Sequence, residues 1–151
     1  MMIQIADLNA PDFEALINTH AELMLSLSPP GSCHFLPIDG LKTPDVTVWE
    51  MRDQGELVGC GALKELTATH GEIKSMHTRS SKRGAGLGRM MLEHILTTAK
   101  NRGYTRLSLE TGSMDGFLPA RHLYENYGFE ACGPFGDYKV DPNSLFMTLE
   151  L

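Results

Sequence analysis

The chain has 151 residues, 42% of them hydrophobic and 21% charged, a size and balance that fit one globular domain spanning residues 1–151 with a core of its own. Thirteen Lys and Arg against 19 Asp and Glu leave a formal charge of −6, which argues against general nucleic-acid binding and admits a cationic partner. No apolar run approaches the ~20 residues a bilayer span needs, the segment MMIQIADLNAPDF lacks a basic-then-apolar leader pattern, and three scattered cysteines (Cys33, Cys60, Cys132) suit neither a disulfide framework nor a zinc site, so a cytoplasmic protein without membrane or metal is expected.

In chain order, MIQIADL alternates Ile3 and Ile5 with polar neighbours and predicts a short first strand. In NAPDFEALINTHAELMLSLS, Pro11 stands near a helix start, and Phe13, Leu16, Ile17, His20, Leu23, Met24 and Leu27 share one helical face. The following stretch, Ser28 to Asp45, is irregular and long for a compact domain, which suits substrate contact. VTVWEM, LVGCGALKEL and EIKSMHT are joined by the turns RDQGE and TATHG and predict an antiparallel meander. A polar glycine-bearing loop then opens a helix whose Leu87, Met91, Ile95 and Ala99 recur every fourth residue, with Gly103 as its stop. YTRLSLET reads as a strand, LPARHLYENYGF as a helix ended by Gly128, and FEACG and SLFMTLEL as two last strands. The fold class is α+β: a mixed sheet in the order β-α-β-β-β-α-β-α-β-β.

The loop RSSKRGAGLGR carries the chemistry. Glycines let backbone N–H groups approach a ligand closely, and a helix N-terminus favours an anion, so a phosphate is the guest this stretch suits. A GxxxxGK[ST] phosphate loop is excluded, because Arg89 and Met90 follow Gly88. A dinucleotide or methyltransferase reading takes Gly84, Gly86 and Gly88 as GxGxG and Glu110 as the ribose acid. It conflicts with the basic excursion RSSKR before the first glycine and with the little chain left after Gly103.

Arg83-x-x-Gly86-x-Gly88 resembles the R/Q-x-x-G-x-G/A signature of the GNAT superfamily, the acyl-CoA-dependent N-acyltransferases. The strand ending SMHT, the strand RLSLET and the stretch ARHLYENYGF, similar to the family's A-x-x-L-Y-x-x-x-G-F helix, extend the resemblance over most of the chain. It implies transfer of an acetyl group from acetyl-CoA to an amine of a small molecule, protein or peptide, directly within a ternary complex. It further implies a pyrophosphate held by Arg83, Gly84, Ala85, Gly86, Leu87, Gly88 and Arg89, and a pantetheine aligned along Met76, His77 and Thr78. Tyr124 matches the family's thiolate-protonating tyrosine, and Glu72 the catalytic glutamate of some members. His77 is an alternative base, but strict alternation puts it on the opposite face from Glu72 unless a bulge intervenes.

Many relatives carry an Asn where this chain has Phe117, so its contact is absent or supplied by Ser113 or Asp115. The loop from Ser28 to Asp45 and the segment GPFGDYKVDPNS, with Cys33, His34, Asp137, Tyr138 and Asp141, are expected to wall the acceptor site. The last strand is apolar enough to pair across a homodimer or to be covered within one chain. A cysteine nucleophile at Cys33-His34 lacks an orienting partner, and a non-catalytic acyl-CoA sensor is the alternative from another class.

Overall fold

The computed structural model describes residues 1–151, the side chain of Pro30 excepted. Ten regular elements follow the expected order: β1 (Met2–Ile5), α1 (Pro11–Leu27), β2 (Val46–Asp53), β3 (Glu56–Thr67), β4 (His70–Thr78), α2 (Leu87–Asn101), β5 (Arg106–Gly112), α3 (Leu118–Asn126), β6 (Glu130–Cys132) and β7 (Ser144–Glu150). The strands form one sheet ordered β1-β2-β3-β4-β5-β7-β6. Every pair is antiparallel except β4 with β5. Short hairpin connections can join only antiparallel neighbours, whereas a parallel step needs a crossover, and here α2 supplies it. This meander overturns the dinucleotide reading, which requires a parallel doubly wound sheet.

The sheet separates two apolar layers. On one face the α2 stripe of Leu87, Met91, Leu92, Ile95 and Ala99 packs with Val58, Leu63, Ile73, Leu107, Leu109 and Tyr124 of α3. On the other, Phe13, Leu16 and Ile17 of α1 pack with Val48, Leu57, Cys60 and Ala62. The i, i+4 spacing of α2 thus forms a continuous seam, and Gly103, at φ +82°, ends it in the left-handed conformation that glycine reaches without steric cost.

β7 lies between β5 and β6, both antiparallel to it. It therefore cannot pair across a dimer, and the alternative of cover within the chain holds. The sheet's edges are β1 and the three-residue β6.

Two irregularities make the site. First, β4 and β5 pair over only His70↔Arg106, Gly71↔Leu107 and Glu72↔Ser108, then part. Second, the β3–β4 register runs from Ala62↔Lys74 to Cys60↔His77, so three steps along β4 match two along β3. The extra residue is a bulge at Ser75, whose φ is +55°. One inserted residue reverses the side-chain alternation, so Ile73 and Met76 both pack on the α2 layer.

Candidate active site

The bulge brings the two candidate bases to one face. His77 meets His20 of α1, their Nδ1 atoms 3.0 Å apart, while Glu72 and Lys74 face Tyr138. Strict alternation would have placed His77 with Ile73 in the opposite layer.

Two nitrogens at that distance share a single proton: one imidazole donates and the other accepts. Burial pushes His20 down to about 4, with the nearby His77 adding to the effect. Burial likewise pushes His77 down to about 4, helped by the charges of Arg83 and Arg79. Unfolded, both would take up protons near pH 6.5; folded, they resist until about pH 4. The unfolded chain therefore binds more protons across this window, and stability falls as pH drops from 6.5 towards 4. Thermal unfolding followed against pH is expected to show this decline, and His20→Gln, which leaves only one such imidazole, to flatten it relative to wild type.

A groove of about 620 Å³ runs from the bulge past the glycine loop to α3. Met76, His77, Thr78, Arg83, Gly84, Gly86, Gly88 and Arg89 line it, as does Leu87, whose side chain belongs to the core. Ala85 is exposed and is not among the lining residues. Gly86, at φ +80°, precedes α2 as its N-cap, and no side chain caps that helix end. The first-turn amides are thus left to an incoming anion. A Cβ on Gly84 or Gly86 would meet nothing within 4 Å, so the loop is open where a ligand approaches. Size, open amides and flanking arginines fit the pyrophosphate and pantetheine arm of coenzyme A.

A second cavity, of about 130 Å³, lies against the parted strands. Glu72, Lys74, Glu110 and Tyr138 contribute its polar wall, and Ser28, Ser32, Cys33 and His34 close it. Both suspected loop segments thus meet there. They are stitched together: the Ser32 hydroxyl donates to Asp141 at 2.6 Å, and the Asn143 side-chain amide donates to Ser32 at 3.3 Å. Cys33 and His34 form no dyad, since the thiol turns to the carbonyls of Met24, Ser28 and Pro29 while the imidazole stands edge-on to Tyr138.

Groove and cavity meet. His20, Met24, Met76, Phe117, Ala120 and Tyr124 line both. Tyr124 is 6% exposed and stacks edge-on to Phe129, and burial pushes its phenol well above the usual range, so it stays protonated. Phe117 fills the space over Gly112, where an added Cβ would come within 2.2 Å of its ring. It is an apolar wall, not a polar contact, and Ser113, bonded to the Pro142 carbonyl, is occupied elsewhere.

Glu72 is buried, not solvated at a strand end, and its Oε2 accepts from Lys74 Nζ at 3.0 Å and from the Tyr138 hydroxyl at 2.5 Å. Lys74 was legible as the same-face neighbour two residues on. His20 was not, because its helical spacing assigns it to the core.

A two-chamber site lies at the strand splay, with an uncapped helix N-terminus at one end and a buried tyrosine at the junction. The acetyltransferase (GNAT) family model matches residues 4–129, and the chain belongs to that family. It is 51% identical over 151 residues, the whole of both chains, to YsnE of Bacillus subtilis (strain 168), named an uncharacterized N-acetyltransferase. A Klebsiella pneumoniae structure assigned as an acyl-CoA N-acyltransferase superposes with a TM-score of 0.81 at 30% identity, covering 99% of this chain and 97% of that one. A GNAT family acetyltransferase from Elizabethkingia anophelis, solved with acetyl-CoA bound, shares the fold at a TM-score of 0.73 and 21% identity, covering 99% of this chain and 97% of that one.

Proposed function

We propose that this protein transfers the acetyl group of acetyl-CoA to a small primary amine, directly and within a ternary complex in the cytoplasm. The observation that carries the reading is the junction: the cofactor-sized groove and the small polar cavity open into each other beside the Tyr124 ring. The thioester supplies an activated acyl carbon. The chain's task is to hold it against an amine that has lost its proton, and to return a proton to the departing sulfur.

In this reading, Arg83, Gly84, Gly86, Gly88, Arg89 and the first-turn amides of α2 hold the pyrophosphate, and Met76, His77 and Thr78 align the pantetheine along the free edge of β4. Glu72 accepts the amine's proton through the carboxylate oxygen that Lys74 and Tyr138 leave free. The amine nitrogen bonds to the acyl carbon, the carbon–sulfur bond breaks, the Tyr124 hydroxyl gives its proton to the sulfur, and the second proton that nitrogen loses as the amide forms restores that hydroxyl. The confined cavity favours a small-molecule amine over a residue on a protein surface.

The test is thiol release from acetyl-CoA with a panel of primary amines, paired with mass analysis of the acetylated product. Amine-dependent release supports transfer. Tight acetyl-CoA binding without release for any amine would instead make the domain an acyl-CoA sensor.

A further inference from the structure

Two carboxylates line the small cavity, Glu72 on β4 and Glu110 on β5, and their surroundings differ. Glu72 stands at the last paired position of the two strands, opposite Ser108. Glu110 lies two residues further, on the same face by alternation, where the strands have parted. Glu72 already has a counter-ion in Lys74 and a second donor in Tyr138. Glu110 has no ion pair among the described residues.

Burial pushes the Glu110 carboxyl up, and the neighbouring Glu72 adds to this; Ser144, His34 and Lys74 pull it back. The buried Ser144 hydroxyl is a neighbour of this carboxyl and lies outside the cavity lining. A half-buried carboxylate on a cavity wall, with no partner cation of its own, leaves its charge unneutralised where a cationic ligand would enter. With Glu72, Lys74 and Glu110 counted together, the cavity carries one net negative charge.

We propose that Glu110 binds the acceptor: its carboxylate, on the cavity wall where β4 and β5 have parted, receives the ammonium head of a monocationic primary alkylamine. The cavity volume of about 130 Å³ sets the length. An apolar cavity of about 150 Å³ holds benzene, so an alkyl chain of roughly four or five carbons fills this one. The two carboxylates then divide the work. Glu110 anchors the cation and Glu72 takes the proton, so the proposal rests on the acetyltransferase reading for the second role only.

The experiment titrates n-butylamine, and 1-butanol as its neutral isostere, into the CoA-saturated protein at pH 7 and follows both by NMR. Wild type is expected to prefer the ammonium by roughly 10-fold or more, the scale of a hydrogen bond to a charged group. Glu110→Gln should bring the ratio near one, and Glu72→Gln should keep most of it. In turnover, Glu110→Gln should raise the KM for n-butylamine and Glu72→Gln should lower kcat. On wild type alone, the carbon-13 titration of the Glu110 carboxyl should move to lower pH with n-butylamine and stay put with 1-butanol, which keeps the test independent of any variant's folding. No preference in wild type, a preference that survives Glu110→Gln, or an unmoved carboxyl titration would overturn the proposal. Acetyl-CoA affinity and thiol release in the same samples separate the readings: their failure sinks the transferase, whereas their success beside an indifferent Glu110 sinks only the anchor.

Discussion

Tyr124→Phe is expected to lower kcat by roughly 10²–10³-fold, within the range for a positioned proton donor, while acetyl-CoA affinity stays within about twofold. The aromatic ring earns its place in the core, against Phe129 and the α2 layer, and phenylalanine keeps those contacts. No protein group is hydrogen-bonded to the Tyr124 hydroxyl among the described residues, so its removal orphans nothing. Because burial holds the phenol far above neutrality, the deficit should be the same from pH 6 to 9. Stopped-flow turnover beside calorimetric titration of acetyl-CoA checks both halves. An unchanged kcat would reduce Tyr124 to a packing residue.

Gly86→Glu is expected to weaken acetyl-CoA binding by roughly 100-fold or more, since setting like charges together costs several kcal/mol. The side chain would stand in open space at the head of α2, so it meets no steric wall. It would instead offer its own carboxylate to the amides meant for the pyrophosphate. A residue other than glycine at φ +80° also costs about 1–2 kcal/mol of stability. Gly86→Ala carries that strain without the charge. Calorimetry with both variants therefore separates the two causes: alanine should lower the melting temperature yet keep most of the affinity. Equal binding losses would mean that loop conformation, not anion recognition, governs the cofactor.

Elements whose signal is local were legible in the sequence. The α2 stripe, the meander with its short turns and the glycine loop each announce themselves within a dozen residues, because periodicity and turn chemistry are local properties. The bulge at Ser75 is different. Nothing in EIKSMHT marks it; it is tied to a fit across the sheet, where Gly61 leaves room for Met76 and Met91 and a Cβ would come within 2.7 Å of the Met91 side chain. Reading past it separates Glu72 from His77. His20 was hidden for a related reason: its partner lies 57 residues away, so its spacing shows only a core helix face. Glu110 was noticed for the wrong chemistry, as a ribose acid, because a lone carboxylate on a strand takes its meaning from the neighbouring strand. The fate of β7 depended on β6, too short at three residues to announce itself as a sheet edge.

The parting of β4 from β5 has a consequence that needs no turnover to observe. Beyond Glu72, one edge of β4 is zipped to β3, while the edge towards β5 is unpaired. Backbone amides facing that gap should trade their hydrogens for solvent deuterium readily in the free protein. A pantetheine lying along them would act as the sheet's missing strand and slow the trade, together with that of the first turn of α2. Deuterium uptake at Met76 to Thr78, followed as acetyl-CoA is added, would then count occupied molecules directly, even for a variant that transfers nothing.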